Sequence, residues 1–218
     1  MTITLYHFPS ACSRVTMHAL EELGLEYDDY CVNIMQGAQR SAEYLSINPH
    51  GKVPALDLDG KLMTENAAIL WTLHRHFGGN KLFSTAPDDA IASHDYRADL
   101  SWCSGTMHPM VRQVRMPMRF TTGEQDGVRA DGTIKLTEEY GQIAARIGDG
   151  WWYGESWSII DTYIYWGCST ASKGGFALDR FPALIAHGER VRARPAFQRV
   201  LAREQAALDR EGITGVAL

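Results

Sequence analysis

Residues 9–15 read Pro-Ser-Ala-Cys-Ser-Arg-Val and lie between the apolar run 3–8 and a stretch, 13–24, with helical spacing. Ser10, Cys12 and Ser13 therefore stand where a strand ends and a helix begins. A helix start leaves backbone N–H groups unpaired and carries partial positive charge. A thiolate is stabilised in that position. The competing local reading makes Ser13 an N-cap and Cys12 a small buried hydrophobe. A second short stretch, Val53-Pro54, precedes a hairpin. Proline cannot donate to a sheet ladder, and with a cis bond there Val53 would turn its N–H and C=O outward, able to hold an extended peptide as a neighbouring strand would. A third, Thr64-Glu65-Asn66, opens a helix. Thr64 suits a cap and Glu65 the helix dipole. A carboxylate and an amide at a helix N-terminus also suit an amino-acid head group, with backbone N–H groups on its carboxylate and Glu65 on its ammonium.

The elements that must position these residues are legible from periodicity. Residues 3–8 are β-branched and aromatic and read as a strand. Val15, His18, Ala19 and Leu23 recur at helical spacing up to Gly24, and residues 26–34 alternate as a second strand. A helix between two strands predicts a parallel pair. A short helix over 39–48 ends at Pro49, the Asp59-Gly60 pair marks a hairpin within 53–66, and an apolar helix runs over 66–79. The rest reads all-helical: a long pattern interrupted by Pro109 and Pro117, a polar loop over 121–133, then helices to 150 and over 158–172, 182–193 and 196–210. The predicted organisation is a small mixed α/β domain over 1–78, a linker over 79–88 and an all-α domain over 89–218. Ser158 and Asp161 have the spacing of a capping box, with Asp in the usual Glu/Gln place.

A hydrophobic fraction of 45% and a net charge of −5 describe an ordinary globular chain without the basic footprint of a nucleic-acid binder. Cys12, Cys31, Cys103 and Cys168 form no CxxC pair and have no zinc-ligand spacing, so reduced thiols and a cytoplasmic setting are expected, with no metal. The first residues lack the pattern of a signal peptide, and no apolar stretch reaches membrane-spanning length.

Three loops, 9–14, 52–54 and 64–66, thus converge on one sheet edge. The stretches "FPSACSRVTMHALEELGLEY", "EYLSINPHGKVPALDLDGKLMTENAAILWTL" and "GESWSIIDTYIYW" together resemble the cytosolic glutathione transferase family over nearly the whole chain. The resemblance implies a thioredoxin-like domain with a mixed four-stranded sheet, then an all-α domain carrying the acceptor-substrate pocket, in a homodimer. It also implies glutathione as co-substrate and a small hydrophobic electrophile as acceptor. It assigns backbone pairing with the cysteinyl unit of glutathione to Val53 before a cis Pro54, the γ-glutamyl end to Glu65 and Asn66, and the glycyl carboxylate to Arg40 or Lys52. "PxACS" resembles the bacterial cysteine-type (beta) branch and points to Cys12 as the residue facing the glutathione sulfur, with Ser10 and Ser13 as alternatives. The tyrosine of other branches would fall at His7, and Tyr6 points to the other face of the strand. "SGTMHPM" resembles a beta-branch stretch near the active site, which makes His108 a glutathione contact, although Pro109 replaces the lysine that follows. Trp102, Met107, Met110 and Arg112 are candidates to line the acceptor pocket, and Asp99 to reach a partner subunit's glutathione.

The chemistry implied is thiol activation. A free thiol, with a pKa near 8.5, is mostly protonated at neutral pH, and a donor aimed at the sulfur beside a helix N-terminus favours the thiolate. Cys12 also opens disulfide exchange or reductive dehalogenation. A non-catalytic interaction module with the same fold is the reading of another class.

Overall fold

A computed structural model describes residues 1–83 and 93–218. Two compact units result, Met1–Leu82 with Arg194–Leu218, and Phe83–Ala193. Residues 84–88 of the predicted linker, half of it, fall outside the described residues.

In the first unit, β1 (Ile3–His7), α1 (Ser13–Leu23) and β2 (Asp28–Cys31) form the expected strand–helix–strand unit, and β1 and β2 pair in parallel. β3 (Ala55–Leu58) and β4 (Lys61–Thr64) are the hairpin about Asp59-Gly60. β3 runs antiparallel to β1, giving a four-stranded mixed sheet in the order β2-β1-β3-β4. Alternation along β1 buries Ile3, Leu5 and His7 and turns Tyr6 to the other face, where it meets Tyr30 and Tyr44 at 5.5 and 6.0 Å between ring centroids. The single helix expected over 39–48 is two pieces, a 3₁₀ turn (Ala38–Arg40) and α2 (Ala42–Ile47), because Ser41 breaks the run. Ser41 has extended backbone, and its hydroxyl accepts from the Tyr44 N–H at 3.1 Å as an N-cap. α3 (Asn66–Leu73) follows the hairpin and ends in a π turn over His74–Gly78.

The last helix, α9 (Pro195–Arg210), belongs to this first unit, where the sequence places it in the helical domain. The reason is electrostatic as much as apolar. Arg194, Arg199, Arg203 and Arg210 pair with Glu22, Glu21 and Asp29, and Arg14 of α1 is buried against Glu204 of α9. Half-buried Ile213 and Val216 beyond it pack with Ala11, Ile34 and Val53 on a cluster of Phe8, Cys31 and Ala207.

The second unit is helical: α4 (His94–Trp102), α5 (His108–Arg115), α6 (Asp126–Ile147), α7 (Ile159–Ser172) and α8 (Pro182–Arg192). Pro109 is accommodated in the first turn of α5, just after a π turn over Cys103–Met107, and Pro117 ends α5. The polar loop expected over 121–133 is wrong beyond 125, since α6 begins at Asp126. Its glycines suggest a turn, but Gly132 is where α6 crosses α5: a Cβ there would come within 2.6 Å of Gln113 Cβ and 3.3 Å of the Met110 carbonyl. The capping box at α7 forms as the spacing predicts. The Ser158 N–H donates to Asp161 Oδ2 at 2.8 Å, while buried Asp161 accepts the Trp152 N–H at 2.7 Å through Oδ1. Among the described residues, no helix is long and apolar enough to cross a membrane.

Candidate functional site

The site is assembled where β1, β3 and α3 meet the start of α1. The turn 9–12 leaves β1 through Ser10, whose φ of 64° is left-handed. Helix α1 starts at Ser13 with Cys12 in the cap position and no side-chain cap. The N-cap reading of Ser13 therefore fails. Its fully buried hydroxyl instead accepts the Phe8 N–H at 3.1 Å and donates to the Phe8 carbonyl at 3.2 Å, closing the turn on itself. The Ser10 N–H donates to Glu204 Oε1 at 3.0 Å, so α9 reaches into this turn. Cys12 presents its thiol to the Val53 carbonyl at 3.4 Å. The two residues that the motifs single out independently are thus neighbours, and the Val53–Pro54 bond is cis.

Two residues that the motifs did not single out hold the Val53 loop. The Lys52 carbonyl accepts from the Tyr44 hydroxyl at 2.7 Å and from Asn48 Nδ2 at 2.8 Å. Burial pushes the Tyr44 phenol up to about 12, which keeps it a donor. Asn48 also accepts the His50 N–H at 3.1 Å and, through its own carbonyl, the Gly51 N–H at 2.8 Å. Gly51 has φ 58°, and a Cβ there would lie 2.7 Å from the Gln39 carbonyl and 2.9 Å from Arg40 Nη1. That close approach brings exposed Arg40 against Gly51, the residue before exposed Lys52. The stop at Pro49 is legible in the sequence. The hold on Lys52 is not, because the partner Tyr44 lies on another element.

At the start of α3, Glu65 is exposed with φ 65° and caps the helix without a side-chain bond. A non-glycine residue held at positive φ stores about 1–3 kcal/mol of strain, a frequent mark of a ligand clamp. The first-turn N–H groups of α3 have no partner within the helix. Asn66 is spent differently from the expectation: buried, it donates through Nδ2 to the Cys12 carbonyl at 2.9 Å and accepts the Thr16 hydroxyl through Oδ1 at 2.6 Å. Its side chain ties α3 to the turn that carries Cys12.

The four cysteines differ. Burial pushes the thiols of Cys31 and Cys168 up to about 11 and 12 and raises that of Cys103 well above its ordinary value. Those three are inert at neutral pH. Tyr6 is likewise no acid: burial, then the Asp57 charge, raises its phenol. Among the described residues, no group of three or more His, Cys, Asp or Glu side chains could hold a metal ion.

The remaining candidates lie in the helical unit and do not form one cluster. His108 and Arg112 are together: Arg112 Nε donates to His108 Nε2 at 3.0 Å, and His108 Nδ1 meets the Tyr163 hydroxyl at 3.2 Å. Trp102 stacks on Trp152 at 5.0 Å and donates to Glu139. Met107 is a core residue, fully buried, within 3.2 Å of where a Cβ on Gly167 would stand. Met110 is half-buried, its carbonyl at the α5–α6 crossing. Asp99 accepts from both Trp152 Nε1 and the Tyr153 hydroxyl at 2.6 Å, so its carboxylate is committed within its own subunit.

Residues 9–76 match the model of the glutathione S-transferase N-terminal domain. Over 203 residues, 91% of the chain and 94% of the relative, the protein is 29% identical to the maleylacetoacetate isomerase of Pseudomonas aeruginosa. It is 26% identical to glutathione S-transferase GstA of Escherichia coli O157:H7 over 92% of this chain and 98% of that one. A sphingomonad glutathione S-transferase solved in complex with glutathione superposes with a TM-score of 0.80 at 25% identity, covering 93% of this chain and 98% of that chain. With the mixed four-stranded sheet, the turn carrying Cys12 and the helical unit that follows, these matches place residues 9–76 in the glutathione S-transferase N-terminal domain family and make the chain as a whole similar to glutathione transferases.

Proposed function

We propose that the protein is a cysteine-type glutathione transferase that binds glutathione along the 52–54 and 64–66 loops and activates its thiol beside Cys12. The observation that carries this reading is the 3.4 Å approach of the Cys12 thiol to the Val53 carbonyl. It puts a reactive group next to the backbone that an extended tripeptide would pair with. The γ-glutamyl carboxylate meets the N–H groups opening α3, its ammonium meets Glu65, and the glycyl carboxylate meets Arg40 and Lys52. Of Cys12 and Ser13, Cys12 is the one that faces the sulfur, because the Ser13 hydroxyl is consumed by Phe8. The start of α1 favours the glutathione thiolate, which attacks a small hydrophobic electrophile and expels its leaving group. The protein acts as a homodimer in the cytoplasm.

The test is the melting temperature with and without millimolar glutathione. At a hundred times its dissociation constant, the ligand adds about 2.7 kcal/mol. A clear rise supports the site. No shift moves the function to a non-catalytic interaction module. Cys12→Ser then separates two chemistries: conjugation that survives while disulfide exchange is lost makes Cys12 a thiol-exchange residue, and loss of both makes it essential to thiol activation.

A further inference from the structure

Among the described residues, Arg112 of α5 is a half-buried cation without an anion. Its Nε donates to His108 Nε2 at 3.0 Å, its Nη1 to the Met116 sulfur at 3.0 Å, and its guanidinium carbon lies 5.8 Å from the centroid of the Trp166 ring. All three partners are neutral. Arginine only donates, so His108 Nε2 accepts and the imidazole proton sits on Nδ1, toward the Tyr163 hydroxyl. Among the described residues, no carboxylate lies within ion-pair range of Arg112, whereas Arg14, Arg194, Arg199, Arg203 and Arg210 each pair with one. A solvated arginine would be free to sample rotamers. This one is pinned by two bonds and a ring face, and the pinning leaves Nη2 and one edge of the fork unassigned.

Two further observations point to an anionic ligand. Residues 100–123 contain Arg112, Arg115 and Arg119 and no Asp or Glu, in a chain whose net charge is −5. A local positive field of this kind concentrates anions. In the same nest, the indole N–H of Trp166, which is 1% exposed, has no acceptor among the described residues. The His108 ring packs on Trp166 at 4.4 Å.

We propose that Arg112, oriented by His108, binds a carboxylate, and that the acceptor substrate is an organic molecule with an apolar body and a carboxylate at one end. A carboxylate matches the fork with two parallel bonds, and such charge-assisted bonds are about twice as strong as neutral ones. What is done to the ligand rests on the glutathione transferase reading. The binding itself does not.

The experiment uses the full chain and a matched pair of electrophiles, 4-chloro-3-nitrobenzoate and its methyl ester, each corrected for its uncatalysed rate with glutathione. The wild type should favour the acid by about tenfold in kcat/KM at low salt, and that preference should shrink in 0.5 M KCl. Arg112→Gln should collapse the preference, and Arg112→Lys should restore part of it. A second readout needs no turnover: calorimetric titration of 4-nitrobenzoate in the absence of glutathione, with affinity about tenfold weaker in Arg112→Gln. A wild type that shows no preference for the acid and does not bind 4-nitrobenzoate overturns the proposal. So does a variant in which the dissociation constant of glutathione rises instead, since the carboxylate would then be glutathione's own. If neither electrophile turns over, the transferase reading has failed, and the nitrobenzoate titration still decides this site. If Arg112→Gln does not fold, the salt dependence of the wild type and the Arg112→Lys titration decide it.

Discussion

Glu204→Gln is the sharpest test of how the candidate site is held. Glu204 is 0% exposed and Arg14 1% exposed. Arg14 Nε donates to both carboxylate oxygens at 3.1 and 3.0 Å, with a further bond from Nη2, and the same carboxylate takes the Ser10 N–H at 3.0 Å. Removing one partner of a buried pair leaves an uncompensated charge and costs about 3–5 kcal/mol. A chain of this kind has about 5–15 kcal/mol in all. The glutamine amide still accepts from Ser10, so the loss measures the charge. Arg14→Met should cost a similar amount. The double variant, with no buried charge left, should cost only about 1–3 kcal/mol, the penalty for imperfectly paired polar groups. The singles and the double, measured by urea unfolding, therefore define a coupling of roughly 3 kcal/mol or more. The Michaelis constant for glutathione should rise in Glu204→Gln, because the turn carrying Cys12 loses its anchor. A Glu204→Gln cost below about 1 kcal/mol, or single costs that add within about 0.5 kcal/mol, would refute the argument that this pair anchors the turn.

Two further outcomes follow from named contacts. Asn66→Ala leaves the Cys12 carbonyl and the Thr16 hydroxyl without their buried partner, so unfolding should cost about 1–3 kcal/mol less and the glutathione-induced melting shift should shrink. An unchanged shift would mean that Asn66 does not position the reactive turn. Stability should also fall on acidification. Hydrogen bonds from His7 and then Arg210 outweigh burial and hold the Asp29 carboxyl far below its ordinary value. For Glu22, burial pushes upward, but bonds from His18 and Arg194 prevail and bring it from 4.5 to about 2. Carboxyls depressed in the folded state contribute stability that is complete above their unfolded values and lost as pH falls toward their folded ones. The urea midpoint should therefore drop between pH 5 and pH 3, and less so in Asp29→Asn. An identical decline in that variant would remove Asp29 from the account.

Local chemistry alone determined much of this protein. The strand–helix–strand opening, the Asp59-Gly60 hairpin, the capping box at Ser158 and the three loops that meet at one sheet edge all follow from periodicity and turn residues. Those signals are carried by residues adjacent in sequence. The functional assignments divide along the same line. Cys12, Val53 and Glu65 announce themselves through motifs, but the engagement of the Ser13 hydroxyl depended on Phe8 closing onto it, and the fate of the Asn66 side chain depended on Thr16, fifty residues away. Gly132 reads as a turn until α5 is seen to press against it. Glu204 gives no signal at all within α9; its partners, Ser10 and Arg14, are about 190 residues earlier. Only tertiary structure could decide these points, because the energy of a buried polar group is set by the partner it finds, and no short stretch of sequence contains that partner.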